Sequence, residues 1–455
     1  MAGIYLHIPF CRKACHYCNF HFSTLLQNKN GMVQALLREI GQESERLAGQ
    51  RVDTIYFGGG TPSLLTVSAA NIAALSGGTE NIAKALSGSS GNEDWSDVAG
   101  SQIGELNLLI EAIRQNFIVA SDAEITLEAN PDDINEEMLE GWKAAGVNRL
   151  SIGVQSFREE DLLWMNRAHT AAEAERCILL AKAAGFRNLT IDLIYGTPGL
   201  TDSAWEANVH KALELGVPHL SCYALTVEPK TALHHMVSVN KMPDTDPEQQ
   251  SRQFLLLMDL MEAAGYEHYE ISNFARPGWR SRHNSSYWRG VEYLGIGPGA
   301  HSYSKGSGAP RRRWNIANNA LYMRSFSEHS SLQNEAKELP AHERGLHERG
   351  LHTTKDAKLH TTDEIRLQTH PIYEEEILTR ENRFNEYVMT ALRTIEGVDL
   401  EFIREEFGGE RVETLIAGAG KFNVEEERLM INEKSVRLTN KGKLFADGIA
   451  AELFI

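Results

Sequence analysis

The chain has 455 residues, with 45 lysines and arginines against 62 aspartates and glutamates, which gives a formal net charge of −17 at pH 7. This excess of acid argues against a general affinity for nucleic acid, and the lack of any apolar run near ~18 residues argues against a chain integral to a membrane. The N-terminal residues show neither the basic segment nor the long apolar stretch of a secretion signal, so we expect a cytoplasmic protein.

The first half of the chain alternates short β-branched or aromatic runs with helical stretches. The runs that predict strands are 3–8, 52–57, 124–128, 149–154, 189–194 and 219–226. The stretches that predict helices are 32–47, 106–117, 135–145, 171–184 and 203–215. This repeated strand–helix unit predicts an α/β fold with a parallel sheet, either doubly wound or curved into a barrel.

Two segments break this pattern. Residues 76–104 are rich in Ser, Gly and Asn and predict a flexible insertion. Residues 327–372 contain a tandem HERGL repeat and a group of histidines. A metal- or haem-binding tract is one interpretation of that group, and a solvated low-complexity insertion is the interpretation we favour.

The remaining segments predict two further units. Residues 233–326 carry Pro, Gly and many aromatics and predict strand-and-loop structure that extends the sheet, after a first domain at 1–232. Residues 373–455 alternate helical patterns with a hairpin at 429–438, which is typical of a winged-helix-like module. Because this module is not basic, we favour its docking onto the first domain over nucleic-acid binding.

Three of the five cysteines, Cys11, Cys15 and Cys18, lie in one loop directly after the first predicted strand. A structural zinc site needs four closed ligands, which His16 or His21 could complete. Three thiolates on a [4Fe–4S] cluster instead leave one iron open to a chelating ligand, and we favour this interpretation. Cys177 and Cys222 stand alone and are predicted to be buried.

Polar and glycine-rich motifs follow the predicted strands of the first domain. Because the carboxyl ends of parallel strands face one rim, we expect these motifs and the cysteine loop to meet at one mouth. The motifs are GGGTP at 58–62, EANP at 128–131, GVQSF at 153–157, DLIYG at 192–196 and YALT at 223–226.

The CxxxCxYC loop, GGGTP, LEANPDD, NRLSIGVQSF and DLIYGTPG resemble the radical S-adenosylmethionine (SAM) superfamily. Within it they resemble the group that contains oxygen-independent coproporphyrinogen III oxidase and the haem chaperone HemW. The resemblance covers residues 3 to about 325 and, less sharply, the C-terminal section. It implies a partial (β/α)6 barrel with a mixed extension and the winged-helix-like module.

The resemblance also implies residue roles at the barrel mouth. Cys11, Cys15 and Cys18 would ligate a [4Fe–4S] cluster, and Gly59 and Gly60 would hold the methionyl amino group of SAM. Tyr17 would lie near the adenine. The further positions that would contact SAM are Tyr5, Thr61, Glu128, Gln155, Arg167 and Asp192. Carboxylates and amides suit its hydroxyls and ammonium, and an arginine suits its carboxylate. No residue is assigned a catalytic role.

Two departures separate the two members of the group. The oxidases carry a CxxxCxxCxC pattern and an N-terminal extension, whereas this chain has Phe20 at the additional cysteine and its first cysteine at residue 11. Residues 283–288 fit the HNxxYW pattern and residues 293–302 the following segment of the haem chaperones. The resemblance therefore favours a chaperone that delivers haem to acceptor apoproteins, such as respiratory enzymes. The alternative is oxidative decarboxylation of coproporphyrinogen III.

His283 of the HNxxYW motif offers an imidazole as a haem iron ligand, and Tyr287 and Trp288 could pack on the macrocycle. The alternative is that His283 and Asn284 satisfy buried polar groups beneath an aromatic cluster. The resemblance thus implies three cofactors: the cluster, SAM and haem. It leaves open a homodimer and a transient contact with a membrane surface.

Overall fold

The computed structural model describes residues 1–67, 104–306, 308–327, 368–369, 372–424 and 427–455. The predicted insertions at 76–104 and 327–372 lie outside these ranges, apart from a few residues at their margins. Within the described ranges no helix has the length and apolar content needed to cross a bilayer. The predicted division of the chain at residues 232, 326 and 372 stays a prediction.

Six parallel strands form the centre of the structure, and each pairs with its neighbour in sequence. They are β1 Ala2–Ile8, β2 Arg51–Gly59, β3 Ile118–Ala129, β4 Arg149–Gln155, β5 Asn188–Tyr195 and β6 His219–Ala224. A doubly wound sheet would reverse its strand order at a switch point, and this one does not. The structure therefore confirms the parallel α/β fold and selects the partial barrel.

Helices connect these strands and bury one face against them. They are α1 Lys29–Gln42, α2 Glu105–Asn116, α3 Glu136–Ala145, α4 Glu159–Trp164, α5 Ala171–Ala183 and α6 Asp202–Glu214. Helix α3 shows how the sequence sets the bounds. The Asn135 side chain accepts the backbone N–H of Met138 at 3.0 Å, and Gly146 ends the helix at a φ of 103°.

Additional strands extend the sheet on both sides of the six. Beyond β6 lie the antiparallel strands β7 Glu267–Glu270 and β8 Asn273–Ala275. Beyond β1 the sheet continues through β9 Tyr293–Ile296, β10 His301–Ser304, β11 Arg311–Asn315, β12 Gln368–Thr369 and β13 Tyr373–Ile377. Only β9 of these runs parallel to β1. Within the described ranges the result is one mixed sheet of 13 strands.

The strand-and-loop prediction for residues 233–326 is wrong in part, because this segment also forms helices. They are α7 Ala232–Ser238, α8 Pro247–Ala263, α9 Arg282–Trp288 and α10 Asn319–Ser325. Asp246 caps α8 and Pro247 opens it, which shows that this proline starts a helix. The inner face of α8 buries Phe254 and Leu257 against the sheet.

The C-terminal module has the helix, strand, helix, helix, hairpin order of a winged helix. Its elements are α11 Arg380–Leu392, β14 Val398–Asp399, α12 Leu400–Phe407, α13 Gly409–Val424, β15 Leu429–Ile431, β16 Ser435–Leu438, α14 Asn440–Lys443 and α15 Ala446–Glu452. A separate apolar core forms inside it, around Val388, Ile403 and Leu415.

The module docks onto the β7–β8 end of the sheet. The backbone N–H of Ile271 donates to the carbonyl of Arg393 at 3.0 Å, and that of Ile395 donates to Tyr269 at 3.0 Å. The Arg393 guanidinium also donates to the buried carboxylate of Glu270 at 3.0 Å. The module therefore docks within the chain, but these contacts are with the extension and not with the first domain, where docking was predicted.

Candidate functional site at the barrel mouth

The cysteine loop leaves β1 at the carboxyl end of the sheet and is fixed by backbone hydrogen bonds. The N–H of Cys11 donates to the carbonyl of Ser23 at 3.0 Å, and the N–H of Cys18 donates to the carbonyl of Cys15 at 3.3 Å. Two segments that follow other strands also hold the loop: the N–H of His16 donates to Met165 at 3.1 Å, and the N–H of Leu233 donates to His16 at 2.7 Å. The loop position thus depends on the whole rim.

Two side chains approach the cysteine sulfurs directly. The hydroxyl of Thr61 donates to Cys11 Sγ at 3.4 Å, and Nη1 of Arg167 donates to Cys15 Sγ at 3.2 Å. Burial raises the pKa of Cys11 to about 11, while the Thr61 hydrogen bond opposes that rise. Bound iron would displace such a thiol proton.

Within the described ranges, no three histidine, cysteine or carboxylate side chains converge on a single metal ion. A [4Fe–4S] cluster does not need such convergence, because each thiolate binds a different iron. The loop donors therefore fit a cluster that takes one sulfur from each of Cys11, Cys15 and Cys18.

The glycine turn after β2 packs tightly against this loop. Gly59 has a φ of 106°, and a Cβ there would lie 2.6 Å from the imidazole of His7. A Cβ on Gly60 would lie 2.6 Å from the carbonyl oxygen of Phe10. Both positions therefore need glycine, which lets the backbone of the turn lie close to β1 and the cysteine loop.

Glu128 and Asp192 are two carboxylates in the barrel interior. Glu128 accepts the hydroxyl of Tyr56 at 2.7 Å and the N–H of Gly59 at 3.2 Å. Burial raises the pKa of both carboxyls to about 7. In Glu128 the nearby charge of Asp192 contributes to this rise. A cationic ligand between them would stabilise both as carboxylates, which fits an ammonium and sulfonium ligand such as SAM.

Gln155 ends β4, and Arg167 lies in the segment between α4 and α5. Nη2 of Arg167 donates to Asn130 Oδ1 at 2.9 Å and to the carbonyl of Gly153 at 2.8 Å. Its Nε is buried without a partner in the described part of the chain, so one donor remains for a ligand carboxylate. Gln155 has a φ of 68°, a conformation that is costly for a non-glycine residue and concentrates at functional sites.

Tyr5 and Tyr17 border the same space. The hydroxyl of Tyr5 lies 3.1 Å from Nδ1 of His7, and burial together with the charge of Glu128 raises its pKa. Burial also raises the pKa of Tyr17, which senses the charges of Arg167 and Asp192. The structure therefore gathers the sequence-predicted residues at one mouth, and their individual roles toward SAM stay predictions.

Sequence reasoning missed three residues of this mouth: Tyr56, Asn130 and His7. Asn130 stands inside the EANP motif, where its amide could have been singled out. Tyr56 and His7 lie within strands, and only their partners across the sheet reveal them. Cys177 and Cys222 are buried, as predicted.

The HNxxYW motif forms helix α9, which packs behind β2. His283 is buried, with Nδ1 2.8 Å from Thr54 Oγ1 and Nε2 2.9 Å from the hydroxyl of Tyr287. Its ring stacks on Tyr56 with centroids 4.9 Å apart. The backbone N–H of His283 donates to the Glu124 carboxylate at 3.0 Å. Both ring nitrogens are engaged, which is the arrangement expected if His283 satisfies buried polar groups. Its haem-ligand role stays a prediction.

A cleft of about 1720 Å³ lies between the cysteine loop, the β9–β11 strands and the C-terminal module. Phe20, at the position of the additional oxidase cysteine, is 67% exposed and borders this cleft. Aromatic and arginine side chains supply much of the lining: Tyr287, Trp288, Tyr293, Tyr303, Tyr387, Phe402, Phe407, Arg280, Arg282, Arg289, Arg312 and Arg383. Such a surface suits a flat apolar ligand with anionic substituents.

The raised pKa of Glu128 has a measurable consequence for stability. Its pKa moves from 4.5 to about 7 on folding, so the folded chain holds an additional proton between these values and loses stability as pH rises through them. The Glu128→Gln variant cannot lose that proton. Relative to the wild type, we expect its free energy of unfolding to rise by about 2 kcal/mol between about pH 5 and about pH 8.

Denaturant unfolding of both apoproteins at each pH measures this change. Histidine titration cancels in the difference between the two chains. A difference in unfolding free energy that did not vary with pH would contradict the raised pKa.

Residues 5–212 match the model of the Radical SAM superfamily, and residues 378–445 match that of the HemN C-terminal domain. The chain is 35% identical over 324 residues to the Heme chaperone HemW of Mycobacterium tuberculosis, covering 70% of this chain and 73% of the relative. It is 36% identical over 305 residues to HemW of Escherichia coli, covering 66% and 69%. It is 34% identical over 309 residues to HemW of Bacillus subtilis, covering 68% and 72%.

The solved structure of coproporphyrinogen III oxidase (HemN) from Escherichia coli, a radical SAM enzyme, superimposes with a TM-score of 0.70. The match covers 100% of this chain and 90% of that chain at 22% identity. It establishes the fold of both the barrel and the C-terminal module. At this identity it carries no argument about the reaction.

Proposed function

The chain belongs to the HemW family within the radical SAM superfamily, and on that premise we propose that it is a haem chaperone that binds haem and delivers it to acceptor apoproteins. The oxidase alternative has weaker support, because Phe20 replaces the additional cysteine and the three sequence relatives are chaperones. Likeness to the oxidase is a likeness of fold.

The size and lining of the cleft are the main support for haem binding. Its volume of about 1720 Å³ exceeds the ~300–1,000 Å³ of ordinary small-molecule pockets, so a macrocycle can enter. Aromatic rings offer flat apolar contact, and arginines offer partners for propionates. Because Phe20 and Arg289 of the cleft lining are exposed at the protein surface, bound haem stays accessible to an acceptor.

The resident cofactors belong to the adjoining barrel mouth. We assign the [4Fe–4S] cluster to Cys11, Cys15 and Cys18, and SAM to the mouth around them. The residues proposed to hold SAM are Tyr5, Tyr17, Gly59, Gly60, Thr61, Glu128, Gln155, Arg167 and Asp192. A bound cluster supplies one-electron chemistry there. The chain itself supplies positioning: Arg167 holds the Cys15 sulfur, and Glu128 holds the glycine turn.

We also propose acceptors, a location and an oligomeric state for the chain. The proposed acceptors are respiratory haem enzymes. The chaperone is proposed to act in the cytoplasm, as a homodimer, and to contact a membrane surface transiently. Light scattering measures the dimer, and cosedimentation with anionic vesicles measures the membrane contact.

Haem transfer tests the proposed function. Anaerobically reconstituted protein is titrated with haem, and the Soret band is followed; apomyoglobin is then added as acceptor. We expect saturable binding followed by transfer to the acceptor. Absence of a Soret shift would overturn the proposal. Release of protoporphyrinogen from coproporphyrinogen III with SAM and a reductant would favour the oxidase instead.

A further inference from the structure

The residues that line the cleft include three histidines, and their ring nitrogens differ in availability. In His7, Nδ1 lies 3.1 Å from the hydroxyl of Tyr5 and Nε2 lies 2.8 Å from the carbonyl of His21. In His21, Nε2 lies 2.7 Å from Asn319 Oδ1. Among the described residues, neither ring nitrogen of His301 has a hydrogen-bond partner. His301 is therefore the cleft histidine with both nitrogens available.

His301 opens β10, on the face of the sheet that borders the cleft. It stands opposite Trp314 in the β10–β11 register, and their rings stack with centroids 6.0 Å apart. Two residues on, Tyr303 shares this face and pairs with Tyr293 and Arg312. The intervening Ser302 is buried on the opposite face. An imidazole thus stands among aromatic side chains on a rigid strand.

The protonation of His301 also suits metal ligation. Burial and the nearby Arg312 guanidinium lower its pKa below the ordinary value. The imidazole is therefore neutral near pH 7 and retains a lone pair for iron. Forming the iron–nitrogen bond then requires neither proton release nor a redox step.

The cations of the cleft fall into two groups. Most of its arginines are paired with carboxylates: Arg280 with Glu267 and Glu396, Arg282 with Asp122, Arg312 with Glu376 and Glu386, and Arg383 with Glu406. Arg289 and Lys305 are exposed, and their side chains have no carboxylate partner in the described part of the chain. Among the described residues, the side chain of Arg289 makes one hydrogen bond, from Nε to the carbonyl of Ser285 at 3.1 Å.

We propose that haem binds in this cleft with the imidazole of His301 as an iron ligand and with its propionates directed toward Arg289 and Lys305. This assignment rests on the proposed function, because it takes haem as the ligand. His283 then has a structural role, since its contacts with Thr54, Tyr56 and Tyr287 fix the HNxxYW helix behind β2.

Haem titration of the full chain with His301→Ala and His283→Ala tests the ligand. We expect His301→Ala to bind haem roughly tenfold or more weakly, with loss of the histidine-ligated spectrum by electron paramagnetic resonance, and added imidazole to restore that spectrum. We expect His283→Ala to keep the histidine-ligated spectrum and to unfold at a lower temperature. His210→Ala, on the outer face of α6, is the matched control.

The outcomes separate the two proposals. If the wild type binds haem and His301→Ala keeps its affinity and spectrum, the His301 assignment is overturned while the chaperone function stands. If the wild type does not bind haem, the proposed function itself fails. Retention of iron and sulfide in each variant before haem is added shows that the chain has folded.

The propionate contacts are tested by Arg289→Gln and Lys305→Gln, with Lys241→Gln, exposed outside the cleft, as control. We expect each cleft variant to bind haem about threefold to tenfold more weakly with an unchanged iron spectrum, and added salt to reduce this loss. Equal affinity of all three variants at low salt would overturn this part of the assignment.

Discussion

Replacement of Cys15 by alanine is expected to reduce the iron content of the anaerobically reconstituted chain from about four atoms to nearly none. Three thiolates are the protein's whole share of the proposed cluster, so two cannot hold it against loss to solvent. Cys15 is the cysteine whose sulfur accepts Nη1 of Arg167, at 3.2 Å. Loss of that sulfur therefore also leaves a buried guanidinium without one of its partners.

Iron and sulfide analysis, together with absorbance near ~400 nm, measures this effect. Cys177→Ala is the matched control, because Cys177 is buried inside α5 and its thiol contacts the carbonyl of Ala174 at 3.2 Å. Cys177→Ala should keep its iron. Full iron content in Cys15→Ala, or zinc in place of iron in the wild type, would contradict the cluster assignment.

Replacement of Glu270 by alanine is expected to destabilise the chain by about 3 kcal/mol, because it removes the buried acid that pairs the C-terminal module with the sheet. Glu270 is 1% exposed and accepts hydrogen bonds from Arg393 at 3.0 Å, Asn273 at 2.6 Å and the N–H of Ser272 at 3.0 Å. Each of these donors loses its acceptor in the variant. Arg393 keeps Asp447 at 2.9 Å, which limits the cost.

Thermal and denaturant unfolding measure this change, and faster proteolysis between the sheet and the module should accompany it. Glu396→Gln is the matched control, since its ion pair with Arg280 is largely solvated and should contribute less than ~1 kcal/mol. Equal stability of the two variants would show that Glu270 does not hold the module in place.

The sequence predicts most of the barrel because its signals are local. Apolar runs mark the six strands, and the motifs after them fall at the rim because parallel strands share one direction. The bounds of two elements are harder to predict from the sequence. The start of β3 is polar and partly exposed, so alternation revealed the strand from residue 124 only. Helix α13 contains Gly418 and Gly420, which weaken the helical pattern of the sequence over its second half.

Side-chain contacts in and around the site are harder to predict from the sequence than the strands. Cys11, Thr61 and Arg167 come together because of the topology, which the sequence predicts, but the direction in which His283 points does not follow from its motif. One of its hydrogen-bond partners, Thr54, is 229 residues away, and that contact forms only in the folded chain. His301 received no role from its motif, because its surroundings are assembled from strands that pair only in the folded chain.

The two strands that flank the six-stranded barrel keep it from closing into a full cylinder. β9 pairs with β1 through Gly3 to Leu6, and β8 pairs with β6 through His219 to Ser221. These pairings use the backbone groups through which β1 and β6 would have to join to complete a cylinder. The six strands therefore remain an open, partial barrel unless these backbone hydrogen bonds break.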